Sequence, residues 1–366
     1  MFAAAVKTPA RKLSGIFALG TKCGLTGRYT FVYSLNGFPL WKGEINPMKN
    51  VLDRIGELGI VPVVRLDRAE DALPLGKALL EGDLPVAEVT FRTAAAEESI
   101  RILAGELPGL LVGAGTVLTR EQVKKAVDAG AKFIVTPGFN PSVVDYCVEN
   151  NIPVTPGINS PSQIEMALER GLDTVKFFPA EQSGGLAMLK AMSAPYGSVK
   201  FIPTGGVDAK NMLSYLAFDK ILAVGGSWMV KPEFAAEGRF DEVTRVAREA
   251  VYAMHGFELG HLGVNCANEK EASGEAAKVA SLFGLAVKDG NSSVFAGKLF
   301  EFMKSPYLGE KGHVAVSCNS VERALAFLES KGIGSLPETE RKKDGKIAAI
   351  YLDFHAGGFI FHLLRK

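Results

Sequence analysis

The chain has 366 residues, 47% of them hydrophobic, with 41 basic and 40 acidic side chains and a formal net charge of +1. That length exceeds one ordinary domain and points to two, the balanced charge argues against a broad electrostatic grip on nucleic acid or membrane, and no apolar run reaches the length of a membrane span. The four cysteines, Cys23, Cys147, Cys266 and Cys318, form no CxxC pair, which argues against a disulfide framework and fits a reducing cytoplasm.

Residues 1–47 carry no strand or helix period; Gly, Ser, Thr and lone aromatics mix, as in Cys23-Gly24-Leu25-Thr26-Gly27. A secretory signal does not fit, because Ala3-Ala4-Ala5-Val6 is too short and precedes the charges. The expectation is an arm without a packed core, or residues upstream of a natural start at Met48.

From Met48 to about Met254 one unit recurs: a short β-rich run, a polar turn and an amphipathic helix. The runs are Val61–Val64, Val86–Phe91, Leu111–Gly113, Phe133–Val135, Val154–Gly157, Val175–Phe178, Phe201–Pro203 and Ile221–Val224. Helical patterns such as 120–129 and 161–170 lie between them. Alternating strands and helices imply parallel strands joined by right-handed crossovers, and eight such units predict an α/β fold of the (β/α)₈ TIM-barrel type. A doubly wound sheet is the alternative.

Residues 258–366 differ. Gly260-His261-Leu262-Gly263-Val264-Asn265-Cys266 recurs as Gly312-His313-Val314-Ala315-Val316-Ser317-Cys318, each followed by a helix, over 271–283 and 321–331. Each copy ends on an apolar strand with a polar residue inside it, Glu301 in 298–303 and His362 in 359–364. This predicts a C-terminal α+β domain of two βαβββ modules, an internal duplication. All five histidines lie in the last third of the chain, from His255 onward, so acid–base chemistry in the barrel falls to carboxylates and lysine.

Working residues of such barrels sit at the C-terminal strand ends. Those ends supply Glu88, Thr90 and Arg92; Thr116; Pro137; Lys176 and Phe178; Thr204, Gly205 and Gly206; and Gly226 and Ser227. Strand neighbours point to opposite faces, so Lys176 turns inward if Val175 and Phe177 face the helices. An interior lysine is pushed toward its neutral, nucleophilic form; the bland alternative is a lysine that merely pairs with a buried carboxylate. Lys200 is a rival at the wrong strand end. Glu88 shares its face with Thr90 and suits a general acid–base, or simply a counter-charge for Lys176. Glycine pairs after strands seven and eight suit phosphate, because glycine lets the backbone approach an anion closely.

The motifs Glu88–Thr93, Val112–Val117, Val175–Glu181, Pro203–Gly206 and Gly225–Trp228 resemble, in order, those of the 2-keto-3-deoxy-6-phosphogluconate / 4-hydroxy-2-oxoglutarate aldolases over about 48–254. The resemblance implies Lys176 as the Schiff-base lysine and Glu88 as the proton-transferring glutamate. It implies Arg92 and Thr116 as the holders of the pyruvate carboxylate, and Gly205, Gly206 and Ser227 as the phosphate pocket. Pro137, Phe178, Thr204 and Gly226 are expected to line the substrate site. The implied substrate is a small keto acid, the assembly a homotrimer, and no cofactor serves the cleavage.

The duplicated C-terminal unit resembles the vicinal oxygen chelate (glyoxalase-like) family. That resemblance implies a divalent-metal cup from His261, Glu301, His313 and His362, with His362 standing where the family's last ligand is a glutamate. A metal-dependent catalytic domain, a binding or assembly module, and a fold retained to cover the aldolase are the readings left open.

Overall fold

The computed structural model describes residues 47–366 continuously. Ahead of them it describes two short antiparallel pairings, Lys22–Gly24 with Gly27–Tyr29 and Val32–Tyr33 with Pro39–Leu40. The chain divides into Met1–Asn46 and Pro47–Lys366; apart from those pairings, the expectation for residues 1–47 lies outside the described residues.

Helix α1 (Pro47–Leu58) leads into eight strands: β1 (Ile60–Val64), β2 (Val86–Thr90), β3 (Leu111–Gly115), β4 (Ile134–Val135), β5, β6 (Thr174–Phe177), β7 (Lys200–Pro203) and β8 (Val224–Gly226). Strand β5 is interrupted at Pro156 into Val154–Thr155 and Gly157–Ile158. Between and after the strands run α2 (Ala72–Glu81), α3 (Ala96–Glu106), α4 (Arg120–Asp128), α5 (Pro141–Glu149), α6 (Pro161–Leu168), α7 (Gly185–Ser193), α8 (Met212–Leu216), α9 (Pro232–Ala236) and α10 (Phe240–His255). Every residue of β1 and β2 is buried, as in a parallel sheet covered on both faces. Helix starts are written locally: the Thr119 side chain accepts from the Gln122 N–H, that of Asn140 accepts from Ser142, and Pro141 and Pro161 open α5 and α6.

The sheet curls. Parallel pairing runs β8-β1-β2-β3-β4-β5 on one side and β5-β6-β7 on the other. A parallel bridge from Thr204 to Gly225 joins β7 back to β8. The eighth strand departs from expectation: Ile221 makes only a bridge to Phe201, and the ladder begins at Val224, paired with Ile60. The apolar run there marks burial rather than pairing, since Ile221 and Ala223 are buried ahead of the strand.

Residues 258–366 form β9 (Glu258–Asn265), α11 (Glu269–Phe283), β10 (Val287–Asp289), β11 (Ser293–Ala296) and β12 (Phe300–Met303). The order then repeats as β13 (Gly312–Cys318), α12 (Val321–Ser330), β14 (Arg341–Lys343), β15 (Lys346–Ala356) and β16 (Phe359–Arg365). One sheet holds them in the order β10-β11-β12-β9-β13-β16-β15-β14. Its centre is the antiparallel pair β9–β13, flanked by the parallel pairs β9–β12 and β13–β16, so two βαβββ copies meet at their first strands. Each helix is capped alike, Asn268 accepting from Glu271 and Ser320 from Arg323. Each covers its own small core, around Ala272, Ala276 and Val294 in one copy and Ala324, Ile350 and Leu363 in the other.

Helix α12 docks on the N-terminal end of the barrel. Arg323 of α12 donates to the carbonyls of Gly56 (3.0 Å) and Leu222 (3.0 Å), just before β1 and β8. Lys331 pairs with Asp83 and Lys346 with Asp219, both also at that end. The C-terminal strand ends, where the candidate residues cluster, are the opposite mouth.

Candidate active site

Lys176 is the third residue of β6, in register with Gly157 of β5 and Ile202 of β7. Glu88 is the third residue of β2, in register with Val63 and Gly113. These strands are not neighbours, yet Lys176 Nζ lies 3.2 Å from Glu88 Oε1, with the two side chains 6% and 4% exposed. They therefore meet across the barrel interior, as alternation predicts. Either charge alone at this depth would cost several kcal/mol, so each requires the other or a proton exchange with it. Space for the carboxylate comes from Gly115, where a Cβ would lie 2.1 Å from Glu88 Oε1. The Phe178 ring centroid stands 5.4 Å from Nζ. Lys200, the rival, is exposed and donates to the Asp219 carbonyl away from the interior.

The mouth residues come from consecutive strand ends. Arg92 follows β2 and Thr116 follows β3; Arg92 Nε donates to Thr116 Oγ1 at 3.2 Å. Thr116 holds φ +55°, a left-handed conformation that costs a β-branched residue about 1–3 kcal/mol. Thr136 buttresses the β4 end, accepting from the Gly157 N–H and donating to the Gly138 carbonyl, and Pro137 lies between these contacts. Thr204 is buried, and its side chain fills the place a Cβ on Gly225 would take. Gly205 and Gly206 have φ +95° and +77°, conformations that favour glycine. Their loop is held by Asn211, which donates to the Gly206 carbonyl and accepts from the Asp208 N–H. Gly226 ends β8 buried, and Ser227 follows it exposed. Gly115 stands within the strand-three motif, but nothing in the sequence signals its space-making role, and Asn211 was missed, since an asparagine five beyond Gly206 does not announce loop-clamping.

A second cluster lies in the C-terminal sheet. His261 Nε2 is 3.1 Å from His313 Nε2 and 3.1 Å from Glu301 Oε2, which is 3.0 Å from His313 Nε2. Ligand atoms of His261, His313 and His362 all lie within 4.8 Å of one another. Gly263 admits the His313 ring, which a Cβ there would meet at 2.1 Å. Burial pushes the Glu301 carboxyl up, but hydrogen bonds from His261, His313 and Ser293 outweigh it and hold it well below the usual range. Burial, with His313 and His261 beside it, pushes His362 down to about 3. Both ring nitrogens of His362 are buried without a hydrogen-bond partner, as is Nδ1 of His313. Bonds of about 2.1 Å to one ion would set donors about 3.0–3.4 Å apart; the His261, His313 and Glu301 separations fall in that range, whereas the three imidazoles group only within 4.8 Å and without Glu301. Val316 packs in the core under α12, so His313, an odd number of positions away on β13, faces the other side. The cluster therefore lies on the face of the sheet opposite α12, the helix that docks on the barrel.

The sequence profile described as KDPG and KHG aldolase matches residues 51–246. The 2-dehydro-3-deoxy-phosphogluconate aldolase of Haemophilus influenzae is 48% identical over 203 residues, 56% of this chain and 96% of that protein. The KDPG aldolase of Legionella pneumophila, solved with pyruvate captured as a covalent carbinolamine, superposes with TM-score 0.53 at 37% identity over 54% of this chain and 97% of that one. The KDPG aldolase of Zymomonas mobilis with 3-phosphoglycerate gives TM-score 0.52 at 38% identity over 56% and 96% of the two chains. Residues 258–366 lie outside the profile match.

Proposed function

This chain belongs to the KDPG and KHG aldolase family, and from that premise we propose that its (β/α)₈ barrel is a class I aldolase. It cleaves 2-keto-3-deoxy-6-phosphogluconate to pyruvate and glyceraldehyde 3-phosphate, with 4-hydroxy-2-oxoglutarate as the related substrate that gives glyoxylate. The observation that carries the assignment is the buried Lys176–Glu88 pair at 3.2 Å, reached from opposite strands. Neutral Lys176 attacks C2 of the keto acid, and loss of water leaves an iminium that accepts the electrons of the breaking bond. Glu88 takes the C4 hydroxyl proton as C3–C4 cleaves and the aldehyde departs. The remaining enamine takes a proton at C3, and hydrolysis releases pyruvate and frees Lys176.

Arg92 and Thr116, already within 3.2 Å of each other, hold the carboxylate, the Arg fork matching its two oxygens. Gly205, Gly206 and Ser227 take the phosphate, and Pro137, Phe178, Thr204 and Gly226 shape the space between. Cleavage needs no metal, because the iminium supplies the electron sink. The working assembly is a cytoplasmic homotrimer; among the described residues no helix is long and apolar enough to cross a membrane.

Residues 258–366 form a vicinal-oxygen-chelate-like domain in which His261, Glu301, His313 and His362 hold one divalent ion, supported by the unpartnered nitrogens of His362. Such an ion supplies Lewis acidity to an oxygen ligand. Steady-state kinetics with both substrates test the barrel: the phosphorylated substrate is expected to show the higher kcat/KM, and preference for 4-hydroxy-2-oxoglutarate would contradict the phosphate pocket. Metal analysis tests the cup: one ion per chain in the wild type and less in His362→Ala, with aldol cleavage unchanged, is expected. Equal metal content in both would refute the ligand set.

A further inference from the structure

Within the cup, one side chain outside the four candidate ligands controls how the carboxylate is presented. Ser293 of β11 is 5% exposed, and its hydroxyl donates to Glu301 Oε1 at 2.6 Å. It reaches there because Glu301 is in register with Phe295, two residues along the same strand face as Ser293. The two carboxylate oxygens are thereby given different tasks. Oε1 is engaged by the serine, and Oε2 alone points to His261 and His313, at 3.1 and 3.0 Å. A carboxylate held this way is presented through one oxygen, whereas a hard ion such as Ca²⁺ commonly takes a carboxylate through both and surrounds itself with oxygen. Three imidazoles and one oxygen form instead a set suited to first-row transition ions.

Resting on the reading of this cluster as a metal cup, we propose that Ser293 is a positioning residue that fixes Glu301 as a one-oxygen ligand, so that the cup selects a transition ion over Mg²⁺ and Ca²⁺. Removal of the hydroxyl frees Oε1, lets the carboxylate rotate, and loosens the three-nitrogen, one-oxygen geometry. Partners of this kind behind a ligand typically contribute about 10–100-fold in metal affinity.

The test uses the full chain, stripped by chelator and titrated with Co²⁺, read by calorimetry and by the visible absorption of the bound ion. Wild type is expected to bind one Co²⁺ that millimolar Mg²⁺ or Ca²⁺ does not displace. Ser293→Ala is expected to bind about 10–100-fold more weakly with a changed visible band. Ser293→Thr, which keeps the hydroxyl, is expected to restore both, and unaltered aldol cleavage and circular dichroism in each variant report an intact fold. Ser293→Ala with wild-type affinity and spectrum would overturn the positioning role while leaving the cup in place. Displacement of Co²⁺ by Mg²⁺ or Ca²⁺ would overturn the selectivity. A wild type that binds no Co²⁺, or binds it as His362→Ala does, would remove the metal reading and this proposal with it.

Discussion

Replacing Glu88 by glutamine separates the two tasks the barrel carboxylate could have. The substitution is nearly isosteric, which matters because the site is tight: a Cβ on Gly115 would already lie 2.1 Å from Oε1. It removes the base and the counter-charge of Lys176 together. Loss of the base predicts a fall in kcat of about 10²–10⁴, or roughly 2.7–5.4 kcal/mol of transition-state free energy. The nucleophile itself stays in place: the Lys176 amine, 3.2 Å from the replaced carboxylate, is still free to attack a ketone. Glu88→Gln should therefore still give a borohydride-trapped adduct with pyruvate while cleaving substrate slowly. Single-turnover cleavage beside trapping yield makes the comparison. A kcat within a few-fold of wild type would refute the acid–base role, and a variant with neither adduct nor cleavage would show that Glu88 is needed for imine formation itself.

Ser227→Ala should raise KM for the phosphorylated substrate more than for 4-hydroxy-2-oxoglutarate; equal effects would mean that the loop after β8 does not read phosphate. His255, at the end of α10, is pushed down to about 4 by burial and by Arg323, with Asp83 opposing. Its folded value lies below its unfolded one, so its neutral form contributes stability that is complete above about pH 6.5 and is lost as pH falls toward about 4, on the order of 3 kcal/mol in full. Denaturant midpoints measured across that window should fall less steeply in His255→Leu, and parallel slopes would show that His255 is not the group responsible.

The inward pair was legible because a strand alternates with a period of two: Val175 and Phe177 are both fully buried apolar residues, which leaves Lys176 the other face. The eight-strand order followed from repetition, and the doubled C-terminal sheet from the recurrence of the His261 and His313 segments. What stayed hidden depends on distance in space without a pattern in sequence. Arg323 fastens α12 to Gly56, 267 residues earlier, so nothing local announces which end of the barrel that helix meets. Ser293 belongs to no motif in the sequence, and only the β11–β12 register sets it beside Glu301. The left-handed Thr116 runs against the preference of a β-branched residue, so no local rule places its hydroxyl beside Arg92. The eighth strand was displaced because hydrophobicity locates burial and not the hydrogen-bonded ladder.

As a class I aldolase, the protein is expected to carry its covalent intermediate on Lys176. Wild-type protein incubated with pyruvate and borohydride, then digested and analysed by mass spectrometry, should carry a stable adduct on the peptide containing Lys176. Lys176→Ala should carry none and should not cleave substrate, although the barrel remains folded. An adduct that persists undiminished in Lys176→Ala, or one that maps to Lys200 in the wild type, would rule out Lys176 as the Schiff-base lysine.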